Sequence, residues 1–202
     1  PPRSTLFPYT TLFRSRATRS SGGVEVLSRL DQLWAGWRHA YVSALGDGIQ
    51  PEVPGTTVPE GSTLFEAIEQ SGLDDSETFI IHRGPTCFAL LNAYPYTSGH
   101  LMVLPRRAVP ALAGLTDGEH DELWATVRDA VAAVESAFSP GGVNVGLNLG
   151  AAAGAGVPGH LHVHVVPRWA GDTNFTTTTA DLRVLPEALS GSWRRLREAW
   201  PS

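Results

Sequence analysis

The chain has 202 residues, 42% of them hydrophobic and 17% charged, with a formal net charge of −5. That is apolar material for one domain of ordinary size, no apolar run approaches the roughly 20 residues needed to span a bilayer, and the negative balance argues against nonspecific nucleic-acid binding. All basic residues are Arg, and one cysteine, Cys87, excludes an internal disulfide framework and fits a reducing cytoplasm.

In chain order, residues 1–23 hold Thr5-Leu6-Phe7 and again Thr11-Leu12-Phe13, four Arg, no acid, and an exit through Ser20-Ser21-Gly22-Gly23. This stretch reads as a non-native or disordered leader, and the domain is expected over 24–202. Without its four arginines the formal charge moves from −5 to −9. Residues 24–45 read as an amphipathic helix, with Val26, Leu30, Leu33, Trp34, Trp37 and Tyr41 near helical spacing. Residues 46–62, rich in Gly and Pro, are expected to be loop. A short helix over 63–72 is followed by strands at 79–81 and 87–92 around a turn at Arg83-Gly84-Pro85, and by a strand at 100–104 after the loop from Tyr94 to Gly99. Short connections between these strands predict an antiparallel meander. Thr116 and Glu119 fit a capping box opening a helix that runs to about Phe138 and buries Leu123, Val127, Val131, Val134 and Phe138. Ser139-Pro140-Gly141 stops it. Residues 143–149 alternate like a strand carrying Asn144 and Asn148, and a C-terminal helix over 186–200 places Leu189, Trp193 and Leu196 on one side. The fold class is α+β, an antiparallel sheet of about five strands with packed helices.

The chemistry concentrates at His160-Leu161-His162-Val163-His164-Val165-Val166. Strict alternation is the pattern of a half-buried strand, so Leu161, Val163 and Val165 face a core. His160, His162 and His164 line up on the opposite, solvent-facing side, about 6–7 Å apart. Packing explains a lone strand histidine but not three in register. Imidazoles at this spacing can grip zinc, although one strand supplies no fourth ligand. They can also supply a nucleophile whose neighbours orient and neutralise a phosphate. The segment 150–159 favours the second use, because its small residues let backbone N–H groups approach an anion.

His160 to Val166 resembles the histidine-triad signature of the HIT superfamily of nucleotidyl hydrolases and transferases. Phe88 to Asn92 with Pro95, Gly99-His100-Leu101-Met102-Val103 with Pro105, and Leu33-Trp34, Trp37-Arg38 and Tyr41 extend the resemblance, as does Pro167-Arg168-Trp169 through Phe175. Together these blocks are similar to the branch holding bacterial diadenosine tetraphosphate phosphorylases. The resemblance implies a single HIT-like domain with N- and C-terminal helical extensions. It assigns the nucleophile to His162. His160 and His164 would serve as catalytic neighbours that bind phosphate oxygens, together with Asn148 and the backbone of Gly154, Ala155, Gly156 and Val157. It puts a nucleoside near Leu90 and Asn92, and His100 near the active site. By their sequence context alone, Asn92 is a turn former and Cys87 a small core side chain.

The resemblance further implies phosphorolysis of diadenosine tetraphosphate to ATP and ADP. Two alternatives stand beside it: hydrolysis of dinucleoside polyphosphates or nucleoside phosphoramidates, and nucleotide binding with little turnover. No resident cofactor is required, and a divalent metal can accompany the polyphosphate. Partners are a small nucleotide and phosphate, with neither nucleic acid nor membrane, and the family's homodimer or a higher homo-oligomer is expected. Two departures stand out. Relatives often carry a zinc-binding Cys-x-x-Cys after the opening helix, where this chain has Thr63-Leu64-Phe65-Glu66, so no metal site is expected. Relatives usually place a Ser, Thr or Gln just before the triad. Here Ala155-Gly156-Val157-Pro158-Gly159 leaves only backbone donors, and Pro158 lacks even that.

Overall fold

Leu101 and Val103 point to one face of a sheet and Met102 and Leu104 to the other, and both pairs are buried. A strand apolar on both faces belongs at the centre of a covered sheet. The computed structural model describes residues 58–172 and 187–202, and places this strand in the middle of five. The helix expected over 24–45, the leader and most of the following loop lie outside the described residues.

The elements run α1 (Leu64–Glu69), α2 (Asp75–Thr78), β1 (Ile80–Arg83), β2 (Cys87–Leu91), β3 (Leu101–Pro105), α3 (Asp117–Phe138), β4 (Gly142–Leu147), β5 (Val163–Arg168) and α4 (Leu189–Ala199), with short 3-10 turns at Leu112–Gly114 and Ala151–Ala153. The strand order is β1-β2-β3-β5-β4, antiparallel throughout. β1 to β3 form the expected meander. β5 then inserts between β3 and β4, so the histidine strand is flanked on both sides. Among the described residues no helix is long and apolar enough to cross a membrane.

One face of the sheet carries Ala89, Leu91, Leu101, Val103, Leu161, Val163 and Val165 against Leu123, Val127, Ala130, Ala133 and Val134 of α3 and Leu196 of α4. The i, i+3, i+4 spacing of those α3 residues makes the apolar stripe that helix needs. Val131, Phe138, Leu189 and Trp193 pack at its margin. The capping box at Thr116 and Glu119 forms as expected. On the opposite face, Phe88, Leu90, Met102 and Leu104 meet Leu64, Phe65 and Ile68 of α1, with Val58 and Val157 beside them.

That second layer corrects the expectation of a solvent-facing histidine row. α1 lies over this face, and His160 and His162 are buried with it. α1 is held down by charge as well as by apolar contact. Glu69 accepts from Arg83 at 3.1 Å and Arg106 at 2.5 Å, and Glu66 Oε1 accepts the Ala108 N–H at 2.9 Å.

The loop between β2 and β3 turns at Gly99, whose φ of +79° lies in the left-handed region, and a Cβ there would stand 2.5 Å from the Phe138 ring. Gly99→Ala combines left-handed strain with overpacking, each of the order of 1–2 kcal/mol. Urea denaturation is expected to show a loss of about 2–4 kcal/mol, and an unchanged midpoint would contradict the close approach of Phe138.

Candidate active site

β5 begins at Val163, so His160 and His162 sit on the segment leading into it and only His164 lies within the ladder. That segment is fixed by its backbone: Leu161 N–H donates to Val109 O at 2.7 Å and His160 N–H to Val157 O at 3.1 Å. Cross-strand register aligns Leu90, Met102, His164 and Gly146 in one row over β2, β3, β5 and β4. Leu90 therefore shares the histidine face, two strands from His164 and about 10 Å away.

The histidines are not equivalent. His162 is 5% exposed and its Nδ1–H donates to the carbonyl of His160 at 2.8 Å. That bond assigns the proton to Nδ1 and leaves Nε2 with its lone pair. Burial pushes the His162 pKa below its ordinary 6.5, with the bond to the His160 carbonyl opposing, so the ring is neutral at pH 7. Phe65 packs against it at 5.3 Å between ring centroids.

His160 is fully buried and has both ring nitrogens engaged within the protein: Nε2–H donates to Pro105 O at 2.7 Å, and Nδ1 is 2.7 Å from Thr63 Oγ1. No nitrogen is left for a phosphate, so the expected phosphate contact of His160 is corrected: its ring is engaged by Thr63 and Pro105 instead. Burial is the largest influence on this ring and lowers its pKa. Phe65 meets its edge at 5.5 Å.

His164 is half-buried and its Nδ1 lies 3.0 Å from Nε2 of His100, which is fully buried. The Tyr96 N–H donates to His100 Nδ1 at 3.0 Å. The chain of bonds assigns the His100 proton to Nε2, makes His164 Nδ1 the acceptor, and puts the proton of a neutral His164 on Nε2. The Tyr96 ring covers both imidazoles, at 4.5 Å from His100 and 5.9 Å from His164. His100 thus joins the triad as a fourth imidazole.

The glycine-rich loop provides fewer donors than its composition suggests. Gly154 N–H and Ala155 N–H donate to Ala151 O and Gly150 O, closing the loop on itself. Of the four amides expected at a phosphate, those of Gly156 and Val157 stay clear of such bonds among the described residues. The Asn148 side chain reaches Gly154 O at 3.5 Å, beside this loop. Asn92 is a turn former in the structure, its Oδ1 accepting the Tyr94 N–H at 2.9 Å. Cys87 is buried, and burial pushes its thiol up to about 11.

Sequence reading missed Thr63, Phe65 and the Pro105 carbonyl. Only Thr63 had a signal, the Thr-x-x-Glu pattern of a capping box. A zinc ion does not fit this corner. The Thr63 hydroxyl sits at hydrogen-bond distance from the His160 nitrogen facing α1, and Glu66 is bound to Thr63 and to the Ala108 amide. Among the described residues no three His, Cys, Asp or Glu side chains are grouped to hold a metal.

Residues 74–171 match the family model of the HIT domain. The chain is 39% identical over 184 residues to the AP-4-A phosphorylase of Mycobacterium tuberculosis H37Rv, covering 88% of each protein. It is 39% identical over 93 residues to the bis(5'-nucleosyl)-tetraphosphatase (asymmetrical) of Schizosaccharomyces pombe, covering 46% of this chain and 50% of that one. The crystal structure of a Hit-like protein from Bartonella henselae superposes with a TM-score of 0.56 at 21% identity, covering 71% of this chain and 98% of its own, a likeness of fold. Imidazoles held in defined tautomers beside a five-stranded sheet, and a relative matched along most of its length, place the chain in the HIT family.

Proposed function

We infer that the chain is a nucleotidyltransferase that works through a nucleotidyl-His162 intermediate, with diadenosine tetraphosphate as donor and inorganic phosphate as acceptor. The observation that carries this reading is the His162 Nδ1–H bond to the His160 carbonyl, which leaves Nε2 unprotonated in a neutral, buried ring. Nε2 attacks the α-phosphorus, the bond to the bridging oxygen breaks, and ATP departs while AMP stays on Nε2. Phosphate then attacks the same phosphorus, the P–N bond breaks, and ADP leaves with His162 restored. His164 and the Gly156 and Val157 amides face the developing charge, with Asn148 at the margin and the nucleoside near Leu90 and Asn92. Likeness to the mycobacterial phosphorylase supports the substrate. Likeness to the yeast tetraphosphatase keeps water as the second acceptor. We further read the outer edge of β4, where Val145 is exposed, as the place for a second copy to extend the sheet. The imidazole supplies the nucleophile, so a metal enters only with the polyphosphate, and the single buried thiol suits a cytoplasmic enzyme.

Chromatography of products from diadenosine tetraphosphate tests the reading. ATP plus ADP appearing only with phosphate, and lost in His162→Asn, is the expected result. Turnover indifferent to phosphate, giving ATP plus AMP or two ADP, would make the protein a hydrolase. No turnover at all would overturn the substrate assignment.

The lowered pKa values of His160 and His162 set a pH dependence. In the unfolded chain these rings take up a proton near the ordinary 6.5, in the folded chain only at lower pH. Below about 6.5 the unfolded state therefore binds more protons, and stability falls as pH drops toward the folded values. The urea midpoint is expected to be steady from pH 7.5 to 6.5 and to fall below that, well before carboxylates titrate. The acid limb of turnover should lie below 6.5 for the same reason. A midpoint constant down to pH 5, or a half-maximal rate above 6.5, would contradict the burial of neutral rings.

A further inference from the structure

We propose that Thr63, the N-cap of α1, is a positioning residue for the nucleophile: its hydroxyl donates to Nδ1 of His160, and the doubly held ring fixes the carbonyl that orients His162. The inference rests on the reading of His162 as nucleophile. It starts from the accounting of protons. His160 Nε2–H is committed to Pro105 O, so a neutral His160 must accept at Nδ1, and Thr63 Oγ1 stands there at 2.7 Å. The hydroxyl has a second acceptor, Glu66 Oε2, but at 3.1 Å and already accepting the Thr63 N–H at 2.9 Å. Turning the hydroxyl toward Glu66 would require a proton on Nδ1 and a cationic His160 with no exposed surface, which an apolar site bounded by Phe65 opposes.

Helix capping alone does not ask for this contact. The chain holds a second box of the same design, Thr116 and Glu119 at the start of α3. There the threonine hydroxyl bonds only to the Glu119 amide and carboxylate. The bond from Thr63 to a residue 97 positions away is an addition to the same motif. It is also braced, because Glu66 ties the box to the Ala108 amide just beyond Pro105, the residue whose carbonyl holds the other side of the ring. Thr63, His160 and Pro105 thus form one clamp. The carbonyl of the clamped residue is the acceptor for His162 Nδ1–H at 2.8 Å.

The test compares Thr63→Val, Thr63→Ser and, as a matched loss of a cap elsewhere, Thr116→Val. Long-range proton–nitrogen spectra of 15N-histidine-labelled protein, assigned by difference with His160→Gln, report the tautomer without substrate. The wild type should show His160 neutral with its proton on Nε2. Thr63→Val should disturb that pattern and lower kcat for diadenosine tetraphosphate with phosphate about tenfold, at a KM within about twofold, because geometry and not binding is lost. Thr63→Ser should restore both. Thr116→Val should lower the melting temperature and leave both unchanged. Where Thr63→Val does not fold, Thr63→Gly, which helix N-caps tolerate and which carries no side-chain donor, takes its place. A hydroxyl-free variant with wild-type spectra, or with a kcat no lower than that of Thr116→Val, would overturn the proposal. A wild type without turnover would remove the substrate reading, while the spectra still decide whether Thr63 holds His160.

Discussion

The hydrogen bond from His162 Nδ1–H to the carbonyl of His160 is the constraint on which the rest of the site depends. A buried imidazole has two nitrogens to satisfy, and an unsatisfied N–H in an apolar surrounding is expensive. Giving the Nδ1 proton a fixed acceptor settles the tautomer and leaves Nε2 as a lone pair. The acceptor is a main-chain oxygen, so its place depends on the backbone near His160, which is anchored through Val157 O, Val109 O and the ring contacts to Thr63 and Pro105. The tautomer of His162 is therefore set through the backbone and the ring partners of His160.

Burial and chemistry reinforce each other here. α1 covers the histidine face with Leu64, Phe65 and Ile68, and this cover pushes the pKa of His160 and His162 down. A drier environment favours the neutral His162 ring and strengthens each hydrogen bond that orients it. It also requires every buried nitrogen to have a place. His160 takes Thr63 and Pro105, and His100 takes the Tyr96 amide and His164. The clamp on α1, Glu69 between Arg83 and Arg106, belongs to the same economy: it holds the cover in place by its polar rim.

Much of this was legible in the sequence, and the misses share a cause. The five strands, the box at Thr116, the α3 stripe and the inward face of Leu161, Val163 and Val165 all follow from periodicity and capping, which are local properties. The burial of the histidines was not legible, because alternation states that two faces differ but not that a distant helix covers the second one. The family resemblance implies a phosphate ligand at His160, but its partners come from residues 63 and 105, far away in sequence. The loop from Gly150 to Gly159 shows the converse error. Composition counts its amides, whereas the fold turns two of them back on the loop itself.

On the reading of a double displacement at His162, the choice between phosphate and water is a question of binding. Each in-line step inverts phosphorus, so with the imidazole on one side the leaving polyphosphate departs from the other, and the acceptor must enter where it left. The groups that held the leaving phosphates are then the groups that hold the acceptor, and one anion site serves both steps. Water needs no such site, being always at hand, and phosphate competes only where it is concentrated against the intermediate. In this chain Ala155, Val157 and Pro158 offer no side-chain donor at that point, which leaves backbone amides and the His164 ring to bind it. Backbone dipoles recognise a phosphate by geometry without adding a full positive charge. Departure of the first product and capture of the second substrate therefore draw on the same few donors, so a change that weakens one weakens the other.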